Sequence, residues 1–140
     1  MTAGIKRELA FPQSREEVWE ALTDPAAVAD WMFPNDFAPR VGHRFTFQCP
    51  PNPKVGFDGL VRCEVLECRP PSRLVFTWGG GFESQVSYRL ESEGDGTRVY
   101  FEQSGFDLSQ PLGKSAYQGA QWGWEKMHAR LAAVLKGKSR

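Results

Sequence analysis

The sequence predicts an α+β fold in which a curved antiparallel β-sheet wraps around a long C-terminal α-helix. Between residues 42 and 104 the apolar side chains recur with a period of two, which is typical of antiparallel strands that expose one face to solvent. From about Pro111 onward the period becomes that of an amphipathic helix. Because only this last helix is long enough to cover the apolar face of the sheet, we expect the twisted sheet to curl around it.

One strand and two short helices are predicted at the beginning of the chain. Apolar and polar residues alternate over residues 5–11, and a proline ends this strand. Ser14 and Glu17 have the spacing of a capping box, which predicts a helix directly after the proline. Asp24 and Pro25 then predict a second helix, with aspartate as its N-cap and proline at its first position.

Five further strands are predicted before the C-terminal helix. The strand with the sharpest boundaries covers residues 73–78, because a double proline precedes it and the turn Gly79 to Gly81 follows it. Within this strand Leu74, Phe76 and Trp78 fall on one apolar face. The other four strands are predicted just after Gly42 and at residues 60–68, 82–91 and 98–104, the last two being joined by a hairpin turn at Glu93 to Gly96.

The C-terminal helix is expected to bury one face and to end in a basic tail at residues 136–140 that frays. Gly123 costs the helix about 1 kcal/mol relative to alanine, and we expect it to permit the close approach of a neighbouring segment. Trp122 lies roughly 200° around the helix axis from Trp124 and points away from the sheet. The inner face is formed by Ala116, Ala120, Trp124, Met127, Leu131, Val134 and Leu135.

Length and charge limit the functions of the chain. At 140 residues we expect a single domain over residues 1–140, which can bury a core without disulfides or metal. The 17 basic and 17 acidic residues cancel, which argues against binding to nucleic acid or to an anionic membrane. No apolar stretch approaches the roughly 18 residues of a membrane span, and the N-terminus has no hydrophobic signal core. We therefore expect a cytoplasmic protein.

Thiol and imidazole groups are too few, and too poorly spaced, for a metal site. The three cysteines, at positions 49, 63 and 68, are expected to be reduced thiols. Glu125 and His128 have the spacing of half of a di-iron helix motif, but the sequence offers no second copy of it. We therefore predict no metal and no cofactor, and we assign no catalytic residue.

Segments spread over nearly the whole sequence resemble one protein superfamily. They include Ser-Arg-Glu-Glu-Val-Trp-Glu-Ala-Leu-Thr-Asp-Pro at residues 14–25, Pro-Pro-Ser-Arg-Leu-Val-Phe-Thr-Trp at residues 70–78, and Gly-Trp-Glu-Lys-Met at residues 123–127. Their order and spacing resemble the Bet v 1/START-like (SRPBCC) superfamily, and more closely its branch named for the C-terminal domain of the activator of Hsp90 ATPase. The resemblance implies a helix-grip fold with an internal apolar cavity between the sheet and the C-terminal helix.

The strand alternation and the implied cavity together predict a ligand site. Tyr88, Gln103 and His128 should point inward, where they orient a polar end of the ligand, satisfy buried backbone groups or reach solvent at the cavity mouth. Trp31 is expected at the rim of the cavity, as a lid or as a staple between helix and sheet. The other predicted ligand-binding residues are Phe45, Phe47, Val65, Phe76, Trp78, Phe101, Trp124 and Met127.

The function that these residues favour is the binding of a small hydrophobic molecule, lipid-like or aromatic, inside the cavity. One alternative is an enzyme of the polyketide cyclase-like type in the same cavity, which would gain a general acid or base from a histidine whose pKa lies near neutrality. The other is a chaperone-related interaction module, which would need apolar residues on the outer face of the sheet. Because one fold hosts many functions, the resemblance does not decide between them. A homodimer is left open.

Overall fold

The computed structural model describes residues 2–51, 53–55, 58–79 and 83–138, and these residues form six strands and three α-helices. The fold is α+β, as predicted, with one curved antiparallel sheet and a long C-terminal helix. The elements are β1 (Thr2–Phe11), α1 (Arg15–Thr23), α2 (Pro25–Trp31), β2 (Arg44–Gln48), a short 3-10 helix (Pro53–Val55), β3 (Leu60–Arg69), β4 (Arg73–Gly79), β5 (Glu83–Glu93), β6 (Gly96–Asp107) and α3 (Pro111–Lys138).

The sheet has the strand order β1-β6-β5-β4-β3-β2, and all neighbouring strands are antiparallel. Strands β2 to β6 therefore form a meander, and β1 pairs with the last strand. In β5 the side chains of Val86, Tyr88 and Leu90 are buried, whereas Arg89 and Glu91 are exposed. The period of two thus gives the sheet one apolar inner face, and α3 packs on that face.

Two strands extend three residues beyond a predicted end. β1 begins at Thr2 rather than at residue 5, because its first residues pair with the end of β6. β6 continues to Asp107 rather than ending at residue 104, since Gly105 adopts a φ of +99° that glycine takes without strain. After this glycine the strand resumes with Phe106, which is buried.

The turns follow the proline and glycine signals. The hairpin turn at Glu93 to Gly96 is confirmed, with Gly94 at a φ of +61°. β3 ends before the double proline, and β4 begins after it. β4 ends at Gly79, whereas the rest of the predicted glycine turn and the predicted strand start at Phe82 fall on residues 80–82, which lie outside the described residues.

The two short helices are connected through Trp31. At the start of α1 the Ser14 hydroxyl accepts a hydrogen bond from the Glu17 amide, and the Glu17 carboxylate accepts one from the Ser14 amide, which confirms the capping box. Asp24 occupies the N-cap position of α2, where its side chain makes no capping bond, and the same residue closes α1 as its C-cap. The Trp31 indole donates to the backbone oxygen of Ala21 at 2.9 Å.

α3 covers the inner face of the sheet with the face that the sequence predicted. On the opposite side of the helix, Trp122 is 63% exposed, and the Lys126 ammonium lies 3.6 Å from the centre of its ring. The helix continues to Lys138, past the start of the predicted frayed tail at residue 136; residues 139 and 140 lie outside the described residues. Its inner face consists of the buried Trp124, Met127, Leu131 and Leu135 and the half-buried Ala116, Ala120 and Val134.

The expectation for Gly123 is wrong. Among the described residues, no atom outside the adjoining helix backbone would lie within 4 Å of a Cβ atom at Gly123, so no described segment packs closely against it. Close approach instead occurs at Gly113, where a Cβ atom would lie 2.2 Å from the backbone oxygen of Asp107. A glycine in a helical sequence does not reveal which flank of the helix meets a neighbour, and the flank at Gly123 meets none in the part of the chain that the structure describes.

Candidate functional site

The residues predicted to bind a ligand are brought together on the inner side of the sheet. Their side chains are buried, with the exception of Trp78, which is half-buried at the end of β4. They come from seven elements: Trp31 from α2; Phe45 and Phe47 from β2; Val65 from β3; Phe76 and Trp78 from β4; Tyr88 from β5; Phe101 and Gln103 from β6; and Trp124, Met127 and His128 from α3.

Aromatic rings form a continuous surface from the edge strand β2 to α3. The ring centres of Phe47 and Trp78 lie 5.2 Å apart, those of Trp78 and Trp124 5.3 Å apart, and those of Trp124 and Phe101 4.6 Å apart. Phe45 extends this surface and contacts Phe47 edge-on, with the ring centres 5.4 Å apart. Such tilted and edge-on arrangements are the favourable ones for aromatic pairs, and the result is a large apolar surface inside the fold.

A chain of hydrogen bonds crosses this apolar surface. The Trp124 indole donates to Gln103 Oε1 at 2.6 Å, and Gln103 Nε2 donates to the Ser84 hydroxyl at 3.1 Å. The Ser84 hydroxyl donates in turn to the backbone oxygen of Trp78 at 2.9 Å. Both polar atoms of the Gln103 side chain therefore have protein partners. Sequence reasoning missed Ser84, although its position two residues before Val86 puts it on the inner face.

Tyr88 and His128 form a second polar contact in the same interior. The Tyr88 hydroxyl lies 2.9 Å from His128 Nε2, and His128 Nδ1 has no hydrogen-bond partner. The imidazole lies among aromatic rings, with ring-centre distances of 4.7 Å to Phe101, 5.5 Å to Trp124 and 6.2 Å to Trp31. The histidine is only 5% exposed, so bulk solvent has little access to the imidazole.

Burial determines the protonation of this pair. It lowers the pKa of His128 from 6.5 to about 4, with a smaller contribution from the positive charge of Arg7. Burial also raises the pKa of Tyr88 well above its usual value. At pH 7 the imidazole is therefore neutral and the phenol is protonated. A histidine that titrates near neutrality, as an acid–base catalyst would need, is not found at position 128.

The inner face of α3 is less buried before Trp124 than after it. Between Trp124 and Leu135 the inner face of the helix is buried except at Val134, which is half-buried. One turn and two turns before Trp124, the side chains of Ala120 and Ala116 are small and only half-buried. Trp78, which contacts Trp124 across the interior, is half-buried as well. The aromatic surface thus reaches the outside at the N-terminal half of α3.

The remaining chemical groups of interest are separate from this surface or unreactive. The three cysteines are free thiols, and burial raises the pKa of each, that of Cys49 to about 11. Within the described ranges, no three or more histidine, cysteine, aspartate or glutamate side chains are grouped as metal ligands would be. None of the described helices is both long and apolar enough to span a membrane.

Known proteins are similar to this chain over most or all of its length. The family model described as Activator of Hsp90 ATPase homolog 1-like protein matches residues 12–136. The crystal structure of protein MLL2253 from Mesorhizobium loti is similar at 32% identity, with 100% of both chains covered and a TM-score of 0.82. The solution structure of protein BH1534 from Bacillus halodurans is 27% identical, with 96% of this chain and 99% of that chain covered and a TM-score of 0.77.

A third similar structure is larger. The crystal structure of CalU16 from Micromonospora echinospora is 26% identical, with 96% of this chain and 76% of that chain covered and a TM-score of 0.76. No curated protein matches the sequence.

Proposed function

The chain belongs to the family of activator of Hsp90 ATPase homolog 1-like proteins, and from this membership and its inner-face chemistry we propose that it binds a small hydrophobic molecule, lipid-like or aromatic, between its sheet and α3. The observation that carries the proposal is the continuous aromatic surface, which is buried at Trp124 and half-buried at Trp78 and Ala120. An apolar ligand would enter beside Ala120 and lie against the rings. We propose that this binding takes place in the cytoplasm.

The contacts favour binding over catalysis. An enzyme acting on the same surface would use Tyr88 and His128, the polar pair that lies there. Because burial keeps the pKa of the tyrosine high and that of the histidine low, neither side chain exchanges a proton readily at pH 7. The site is therefore better suited to holding a molecule than to transforming it.

The outer face of the sheet also gives less support to an interaction module. In its described part, charged side chains of neighbouring strands pair with each other, as Lys6 does with Glu102 and Arg44 with Glu64. Arg89 stacks over the ring of Tyr100 at 4.1 Å. Such a surface is well solvated, whereas docking surfaces for proteins usually expose an apolar patch.

The proposal is tested with N-phenyl-1-naphthylamine, an uncharged probe whose fluorescence rises in apolar surroundings. The wild-type protein should bind it with saturable enhancement of the emission. Ala120→Trp places a bulky ring at the half-buried position beside Trp124, and we expect it to weaken binding at least tenfold, which is about 1.4 kcal/mol.

The matched control is Ala129→Trp, because Ala129 is exposed on the same helix. This variant should bind the probe as the wild type does. Absence of saturable binding to the wild type, or equal affinity of the Ala120→Trp and Ala129→Trp variants, would contradict a site between sheet and α3.

A further inference from the structure

One polar atom of the inner surface lacks a partner. Among the described residues, the buried side-chain atoms without a hydrogen bond are Gln13 Oε1, Arg15 Nε and His128 Nδ1. Gln13 and Arg15 lie at the beginning of α1, whereas His128 lies against the rings of Phe101 and Trp124. Gln103 has partners for both of its side-chain atoms, so it is already used within the protein. The unsatisfied group of this surface is therefore His128 Nδ1.

The contact with Tyr88 determines what Nδ1 can do. If the tyrosine hydroxyl donates to Nε2, the proton of the neutral ring is on Nδ1, and this N–H is the one group left unpaired. If instead Nε2–H donates to the tyrosine oxygen, both the hydroxyl hydrogen and the Nδ1 lone pair are left unpaired. Because every unpaired buried polar group is costly, the first arrangement is favoured, and Nδ1 is a donor.

We infer that the ligand of this surface carries a hydrogen-bond acceptor of the carbonyl type on its apolar body, and that His128 Nδ1–H donates to it. This inference rests on the proposed function and adds to it the chemical class of the ligand. The charge of Arg7 acts in the same direction, because the repulsion that helps to lower the pKa of His128 is a positive potential that favours an electronegative ligand atom.

Two probes of nearly equal shape test the inference. In 2-acetylnaphthalene the side group ends in a carbonyl oxygen, and in 2-isopropenylnaphthalene a methylene group takes its place. Their dissociation constants are measured by titration calorimetry with the wild type and with His128→Leu. The ratio of the two constants should favour the ketone about tenfold more in the wild type than in the variant, a difference of about 1.4 kcal/mol.

His128→Asn is the matched control, because the asparagine amide can put an N–H near the position of Nδ1. It should retain most of the preference for the ketone. An identical ratio in the wild type and in His128→Leu would overturn the inference and leave the proposed function intact. Failure of both probes to bind the wild type would overturn both.

The tautomer of the His128 ring provides a second test, which needs no ligand and no binding measurement. The chain has two histidines, so the long-range proton–nitrogen NMR spectrum of labelled protein is readily assigned with a His43→Gln variant. We expect the His128 proton on Nδ1 in the wild type and a mixture of tautomers in Tyr88→Phe, which removes the hydroxyl that donates to Nε2. A proton on Nε2 in the wild type would overturn the inference, since Nδ1 could then only accept.

Discussion

Trp124 joins the two kinds of interaction found inside this protein. Its ring contacts Trp78 from the sheet and Phe101 from β6, while its indole N–H donates to Gln103. The side chain is 1% exposed. Trp122 on the same helix is 63% exposed, and the ammonium group of Lys126 lies over its ring. Two tryptophans separated by a single residue therefore have opposite environments.

Trp124→Ala should destabilise the protein strongly, and Trp122→Ala should not. Removal of a buried tryptophan typically costs about 3–5 kcal/mol, a large share of the roughly 5–15 kcal/mol by which a domain is stable. The loss also leaves Gln103 Oε1 without its donor. Urea denaturation followed by circular dichroism measures both variants, and equal losses of unfolding free energy would contradict the phase of α3.

His128 should make the stability depend on pH. Its pKa is about 4 in the folded protein, against 6.5 for an ordinary histidine. Above pH 6.5 the ring is neutral in both the folded and the unfolded chain, so the titration of His128 takes nothing from the free energy of unfolding. As the pH falls from 6.5 to 4, His128 becomes protonated in the unfolded chain but stays neutral in the folded chain. The free energy of unfolding therefore decreases by about 3 kcal/mol.

The contribution of His128 is isolated by comparison with His128→Asn, since carboxylates also titrate in the lower part of this range. The unfolding free energy of the wild type should decline more steeply than that of the variant between pH 6.5 and pH 4. Parallel declines would show that the imidazole is not excluded from protonation in the folded state.

At the scale of elements, α3 contains glycines in two different environments. A Cβ atom at Gly123 would extend into open space, whereas one at Gly113 would collide with the backbone of Asp107. Gly123→Ala should therefore stabilise the protein by up to about 1 kcal/mol through helix propensity. Gly113→Ala should destabilise it by about 1–3 kcal/mol, because backbone atoms have to move. Thermal melts of the two variants that shift in the same direction would refute this distinction.

The elements themselves were predictable where a local signal exists. Capping, as at Ser14, and the period of two in β5 depend on neighbours in the sequence, and the structure agrees with both. The end of β6 was not predictable, because the strand passes through Gly105 to pair with the first residues of the chain. The surroundings of Gly123 were not predictable either, because they depend on which flank of α3 faces a segment distant in the sequence.

At the scale of the whole molecule, the inner surface was predictable as a set of residues but not as a network. Alternation and helix phase together select the residues that point inward. The contact of Tyr88 with His128 joins residues far apart in the chain, and so does the bond from Trp124 to Gln103. Such pairs depend on the position of α3 over the sheet and on its rotation about its own axis, and no local sequence pattern predicts either.

The pairing of β1 with β6 has a consequence for how the chain is made. The first strand obtains its partner only after Gly96 to Asp107 has been synthesised, and α3 follows later still. Until α3 has left the ribosome, the aromatic face of the strands lacks the longest helix that covers it, and only α1 and α2 are available from the core around it. A high share of such long-range contacts slows folding, and exposed apolar strands are prone to aggregate. A polypeptide stalled before Pro111 would therefore expose much of the apolar inner face of its strands to other nascent chains and would be prone to aggregate with them.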